Sequence, residues 1–301
     1  SLKNKLYIII FCTFILCLVI FSSTNLPSAK EGLLLWANSV VPTLFPFFVA
    51  TELLNHTNFI PMIGKHLNKF MRPIFKVPGE GAYAFLMGLI SGYPVGAKIV
   101  CHLRENGLCT KDEGERMLAF TNNSGPLFIV GTVGISLFKN QTIGIILLVT
   151  HILACITVGI LFGFMKKKDK IKWDRYSVDT TQKDNKTLGG ILGESIKNAI
   201  STILIIGGFV VIFSIIISIL NNSRILEIIS KMASPIATNI GINTEFVKPI
   251  LAGLIELTNG VKLVSESSIV NYNLSIILSA FLLGFGGISV LLQVSSIVAK
   301  T

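Results

Sequence analysis

The residues that could do chemistry sit at four interruptions of otherwise apolar runs. Ser91, Gly92, Tyr93, Gly96 and Lys98 interrupt the run 82–103, and Asn122, Asn123 and Ser124, followed by Gly125-Pro126, interrupt 115–138. Glu256, Thr258, Asn259 and Lys262 fall within 247–267, and Gly286, Gly287, Ser289 and Gln293 within 272–299. In hydrocarbon an unpaired backbone amide or carbonyl costs on the order of several kcal/mol, so a broken helix survives only inside protein or beside a water-filled cavity. Amide, hydroxyl, ammonium and carboxylate groups collected at such breaks suit the binding of a small polar solute near the membrane midplane. Lys98 and the N-termini of half-helices would donate to an anion. Glu256 would hold a coupling cation, or contact Lys98 or Lys262 and release it when solute enters.

Nothing in the chain argues for covalent catalysis. There is no G-x-S-x-G, no H-E-x-x-H and no glycine loop for phosphate after a strand, and Glu256 has no obvious second carboxylate, so no enzyme is expected. Cys12, Cys17, Cys101, Cys109 and Cys155 form no C-x-x-C pair, and His56, His66, His102 and His151 are scattered. We therefore expect no metal, no cofactor and no disulfide framework, with His102 and His151 structural. Lys98 and Lys262 can equally reach an interface or pair with a carboxylate, and the glycines can equally serve close helix packing.

These groups need elements to position them. With 301 residues, 14% of them charged, and a mean hydropathy of +0.71, the chain is too apolar for a soluble domain and reads as an all-α, polytopic membrane protein. The net charge of +10 comes from basic residues gathered between apolar runs, the positive-inside pattern, which argues against nucleic acid as a partner. Residues 1–32 hold an uncleaved N-terminal span over 6–22. Residues 33–165 follow as a first repeat. Its span 33–54 is kinked by Pro42 and Pro46 and anchored at an interface by Trp36, and a basic amphipathic helix over 55–78 lies on inner-leaflet lipid. A re-entrant hairpin with its tip at Tyr93-Pro94, the broken span 115–138 and the unbroken span 142–165 complete the repeat. Residues 166–190 form a basic cytoplasmic linker, where Lys166, Lys167, Lys168, Lys170, Lys172 and Arg175 set the orientation.

Residues 191–301 form a second repeat. A span over 192–220 leads to a surface helix over 223–245. A second hairpin follows with its tip at Thr258-Asn259-Gly260, and then a span broken at 284–287. The segment FLMGLI (85–90) is echoed by ILAGLI (250–255), and GAKIV (96–100) by GVKLV (260–264). The two halves run in opposite orientations, the inverted-repeat arrangement of secondary transporters. The second repeat lacks a counterpart to the span 142–165.

The motifs SGYPVGAK (91–98) and FTNNSGPLFIVG (120–131) resemble the nucleoside-recognition, or Gate, domain. With WANSVVPTLFPF (36–47) and GFGGISVLLQ (284–293), the pattern is similar to sporulation integral membrane proteins of the YlbJ type, from about residue 33 to the end. The resemblance implies a core like that of concentrative nucleoside transporters, with two re-entrant hairpins and two broken helices around one site. It also implies a multi-pass protein of the mother-cell and outer forespore membrane that moves dipicolinate during sporulation. Residues 91–98, 122–124, 256–259 and 286–293 would line that site. A small anion is the expected partner, with a coupling cation, membrane lipid and a second copy of the chain as further candidates. The alternatives are a cation-coupled nucleoside carrier and a non-transporting membrane scaffold.

Overall fold

The structure is a computed structural model that describes residues 2–165, 187–299 and 301. The described residues are mostly helical, with no strand among them. In chain order the elements are α1 (Leu2–Ile20), α2 (Ser22–Leu35), a π-helical turn π1 (Trp36–Val40), α3 (Val41–Asn55), α4 (Phe59–Phe75), α5 (Gly81–Ser91), α6 (Val95–Glu105) and α7 (Lys111–Thr121). A π-helix π2 (Leu127–Leu137) precedes α8 (Gln141–Met165), α9 (Leu188–Asn222), α10 (Ile225–Asn239), α11 (Val247–Ile255), α12 (Leu257–Glu266), α13 (Tyr272–Phe285) and α14 (Gly287–Val298).

Four stretches of the described residues are long and apolar enough to cross a membrane: Lys3–Ile20, Gln141–Met165, Leu188–Asn222 and Tyr272–Val298. The halves of the hairpins, α5, α6, α11 and α12, hold 11, 11, 9 and 10 residues. Each is about half the ~20 needed to span. Each half folds back on its partner instead, α5 on α6 and α11 on α12. The first span is present as α1, which is exposed along its length. The amphipathic helix is α4, with Ile60, Gly64 and Met71 turned inward and Lys65, His66, Lys69 and Phe70 exposed. The six basic residues on which orientation rests lie outside the described residues.

Helix starts follow from local capping. Thr110 accepts the Glu113 amide through its hydroxyl while the Glu113 carboxylate accepts the Thr110 amide, which opens α7. Asn271 accepts the Leu274 amide at the start of α13. Glu113 also takes a hydrogen bond from Arg72 at 2.6 Å, which ties α4 to the base of the first hairpin.

One expectation in the first half, the placing of Trp36, is corrected. The wide turn π1 lies just ahead of Pro42, where the missing N–H and the ring disfavour an ordinary i−4 bond. Trp36 is not an interfacial anchor. Its indole N–H donates to the Ile203 carbonyl at 2.9 Å, and a side chain at Gly207 would meet its ring at 2.7 Å. The ring therefore fixes the junction of α2 and α3 against the middle of α9.

Buried apolar side chains form two cores. One gathers Tyr83, Leu103, Met117, Phe120 and Ile203 around α5, α6, α7 and α9. The other gathers Ile129, Leu147, Val261, Leu282 and Leu283 around π2, α8, α12 and α13. The interrupted segments lie between them.

Candidate functional site

The first hairpin meets the first broken span through small residues. A Cβ on either Gly88 or Gly96 would overlap the Thr121 carbonyl, the last of α7, so that oxygen is gripped between the two legs of the hairpin. At the tip, Gly92 adopts φ +83° with its Cα side against Gly125; a Cβ there would come within 2.9 Å of the Gly125 nitrogen. Only glycine accepts both the positive φ and the approach. The peptide between Tyr93 and Pro94 is cis.

That tip also reaches the second broken span. The Tyr93 phenol donates to the Leu283 carbonyl at 3.1 Å, and a Cβ on Gly286 would meet the same phenol oxygen at 3.0 Å. The break consists of Gly286 at φ +80° and Gly287 at φ +86°. Gly287 in turn faces the Gly253 carbonyl and the Leu257 amide of the second hairpin, each 3.2 Å from a Cβ built there. Gly253 and Gly260 pack the two legs of that hairpin on each other, as Gly88 and Gly96 do in the first. All four interruptions therefore meet in one series of contacts, 122–126 to 92–94 to 286–287 to 253–257.

The polar atoms at this junction are unevenly satisfied. Asn123 is fully engaged: its amide nitrogen donates to the Phe120 carbonyl at 3.0 Å and its oxygen accepts the Cys155 thiol at 2.8 Å. The Ser124 amide donates to the His151 Nε2 at 3.2 Å. By contrast, the Ser91 and Thr121 hydroxyls and the Asn122 side-chain oxygen are buried without a hydrogen-bond partner, and the buried Ser124 hydroxyl lies beside the Tyr93 phenol. A buried polar atom left unpaired costs about 1–3 kcal/mol, and three such atoms flank this one break. The N-termini of α6, π2 and α14 carry no side-chain cap, which leaves amide dipoles free at the same breaks. Ser289 and Gln293 are buried on α14, which packs against α6, α9 and α11.

Three expected residues stand differently. The tip of the second hairpin is Glu256, and Thr258, Asn259 and Gly260 form the first turn of α12. Glu256 caps that turn, accepting the Thr258 amide at 3.0 Å and the Asn259 amide and side-chain nitrogen at 2.8 Å each. It contacts neither Lys98 nor Lys262. Lys262 is exposed on α12 and is not brought to the junction. Lys98 points from α6 toward α3 and α9. It pairs with Glu52 at 2.5 Å and donates to the Thr202 hydroxyl at 2.8 Å, while the Asn198 amide nitrogen donates to the other Glu52 oxygen at 3.1 Å.

Sequence reasoning missed Glu52, Thr121, His151, Cys155, Asn198 and Thr202. Two signals were available: Glu52 is a lone carboxylate in the apolar run 33–54, and Asn198 and Thr202 are polar residues one turn apart on an apolar helix. His151 gives no such signal, because its partner is a backbone amide.

A profile of the nucleoside-recognition (Gate) family matches residues 37–168 and 203–301. The matched ranges include all four breaks. The chain is 34% identical to the sporulation integral membrane protein YlbJ of Bacillus subtilis (strain 168), over 99% of this chain and 76% of the relative. No solved structure matches it.

Proposed function

The chain belongs to the nucleoside-recognition (Gate) family of integral membrane proteins, and from that premise we propose that it is a carrier for a small polar anion. Dipicolinate, moved across the outer forespore membrane during sporulation, is the substrate that fits this reading. The observation that carries it is the set of unpartnered oxygens of Ser91, Thr121 and Asn122, with the Ser124 hydroxyl and the Tyr93 phenol beside them, where the breaks converge. The serine and threonine hydroxyls each have a hydrogen to give. With the uncapped N-termini of α6, π2 and α14 they form a donor set for the carboxylates of a planar dianion. The Asn122 oxygen is an acceptor, and with the hydroxyl lone pairs it suits a coupling cation held beside the anion.

Transport would proceed by alternating access. The two halves, each a hairpin with a broken span, would lie in opposite orientation and rock about the junction. Tyr93 and Gly286 form one of the contacts between the halves that such a motion must remake. A nucleoside reading draws less support, because both oxygens of Glu256, the carboxylate that would bind sugar hydroxyls, are engaged by α12.

The test is titration of dipicolinate and of uridine against purified protein, followed by thermal unfolding. A ligand that binds only the folded state raises the midpoint in a saturable way. Dipicolinate should raise it, and Asn122→Ala/Ser124→Ala should remove the effect with the unliganded midpoint little changed. A shift with uridine alone overturns the substrate, and no shift with either overturns the carrier reading.

A further inference from the structure

The Glu52–Lys98 pair joins α6, the returning leg of the first hairpin, to α3 and α9. Glu52 is 7% exposed, near the end of α3, and the Lys98 side chain is 29% exposed, so the ammonium can be approached while the carboxylate is enclosed. Lys98 sits in the first turn of α6, one turn past the Tyr93-Pro94 tip. Its other contact, the Thr202 hydroxyl, donates onward to the Asn198 carbonyl at 3.0 Å, and the Asn198 side chain holds Glu52. One carboxylate is thus bound by an ammonium and an amide N–H, with a hydroxyl alongside. Those are the groups that would bind a carboxylate from outside the chain.

We infer that this pair is a proton-linked carboxylate site, in which Glu52 occupies the place that a substrate carboxylate takes once Glu52 is protonated. This rests on the anion-carrier reading. An unpaired charge is costly in so enclosed a setting, so any exchange of partners must leave the site neutral. A proton taken up on Glu52 releases the Lys98 ammonium, which keeps its bond to Thr202. The incoming carboxylate then accepts from Lys98 Nζ and from the Asn198 amide nitrogen. One proton enters with each ligand, whose one carboxylate takes the place of the Glu52 charge beside Lys98, so the charge at the pair itself is unchanged. Deprotonation of Glu52 reverses the exchange and expels the ligand. The pair therefore supplies both a substrate contact and a coupling to the proton gradient.

Other titratable groups lie near the pair. His102, one turn along α6, feels Glu52, Glu105, His56 and Lys98, and His56, which caps the end of α3, faces Glu194 of α9 at 4.0 Å. The α5 phenol of Tyr83 reaches the Thr51 carbonyl at 3.5 Å, beside Glu52.

Dipicolinate binding to the full chain is measured calorimetrically between pH 6 and pH 8, where a free dicarboxylate stays ionised, in two buffers of different ionisation enthalpy. Linkage of one proton predicts about a tenfold gain in affinity per unit fall in pH and uptake of about one proton per ligand. Glu52→Gln should bind with an affinity that no longer changes with pH, and Glu52→Gln/Lys98→Gln, which removes both charges together, should lose tight binding at every pH. Binding by the wild-type chain with no pH slope and no proton uptake overturns this inference and leaves the carrier reading standing. A slope that survives Glu52→Gln assigns the proton to His56 or His102 and overturns it too. Binding of uridine but not dipicolinate overturns this site together with the proposed substrate, and binding of neither overturns the carrier reading with it.

Discussion

Gly96→Ala tests the contact that seats the first hairpin on the first broken span. The new Cβ would overlap the Thr121 carbonyl and lie 3.0 Å from the Asn122 nitrogen. Both neighbours are backbone, so no side-chain rotation relieves the clash, and the hairpin must back away from the break. Overpacking of this kind costs about 1–3 kcal/mol, and a backbone obstacle puts the cost near ~3. Alanine recovers about 1 kcal/mol of helix propensity over glycine, which leaves a net loss of about 2 kcal/mol. At about 2–4 °C per kcal/mol, the unfolding midpoint in detergent should fall by about 4–8 °C. Gly193→Ala and Gly208→Ala are the controls, since nothing lies within 4 Å of a Cβ at either position. They should be neutral or slightly stabilising, by up to about 1 kcal/mol. A Gly96→Ala midpoint that rises with the controls would refute the close approach of Gly96 to Thr121, and with it the geometry of the junction.

Glu113→Ala removes both the capping box of α7 and the partner of Arg72. Breaking a buried pair from one side should cost about 3–5 kcal/mol in denaturant unfolding, against under 1 kcal/mol for the exposed pair Glu227–Lys231. In the connection before α5, burial and then the Glu113 charge raise the Glu80 carboxyl above its ordinary value, although its backbone and Arg72 oppose the shift. The folded chain therefore holds that proton to a higher pH than the unfolded chain, and stability contributed by Glu80 falls as pH rises through the interval between the two values. Glu80→Gln should flatten the stability profile there and raise the midpoint at neutral pH; an unchanged profile assigns the slope to another group. Tyr93→Phe deletes the bond to the Leu283 carbonyl and should cost about 0.5–1.5 kcal/mol in unfolding, with weaker dipicolinate binding. An affinity equal to wild type would exclude the phenol from the site.

The four breaks were legible because each combines glycine, proline or asparagine with an apolar run, a combination that an unbroken membrane helix avoids. Their convergence was legible only by resemblance, since contacts such as Tyr93 with Leu283 join distant parts of the chain. The tip at Glu256 was misplaced because Thr258-Asn259-Gly260 has turn composition. A carboxylate that accepts two successive amides makes that same segment the start of a helix. That Lys98 could pair with a carboxylate was legible, but its partner was not, because nothing local in the sequence connects α6 with Glu52. Trp36 met its partner on α9 instead of an interface for the same reason. Periodicity and composition report what a segment is, and long-range pairing decides what it faces.

The most direct test of the central claim is uptake of labelled dipicolinate into proteoliposomes containing the full chain. The account predicts saturable uptake that an inward proton gradient accelerates, and that Asn122→Ala/Ser124→Ala abolishes although the variant reconstitutes normally. Uptake no greater than in protein-free vesicles, or undiminished in that variant, would contradict the claim that the four breaks form one anion pathway.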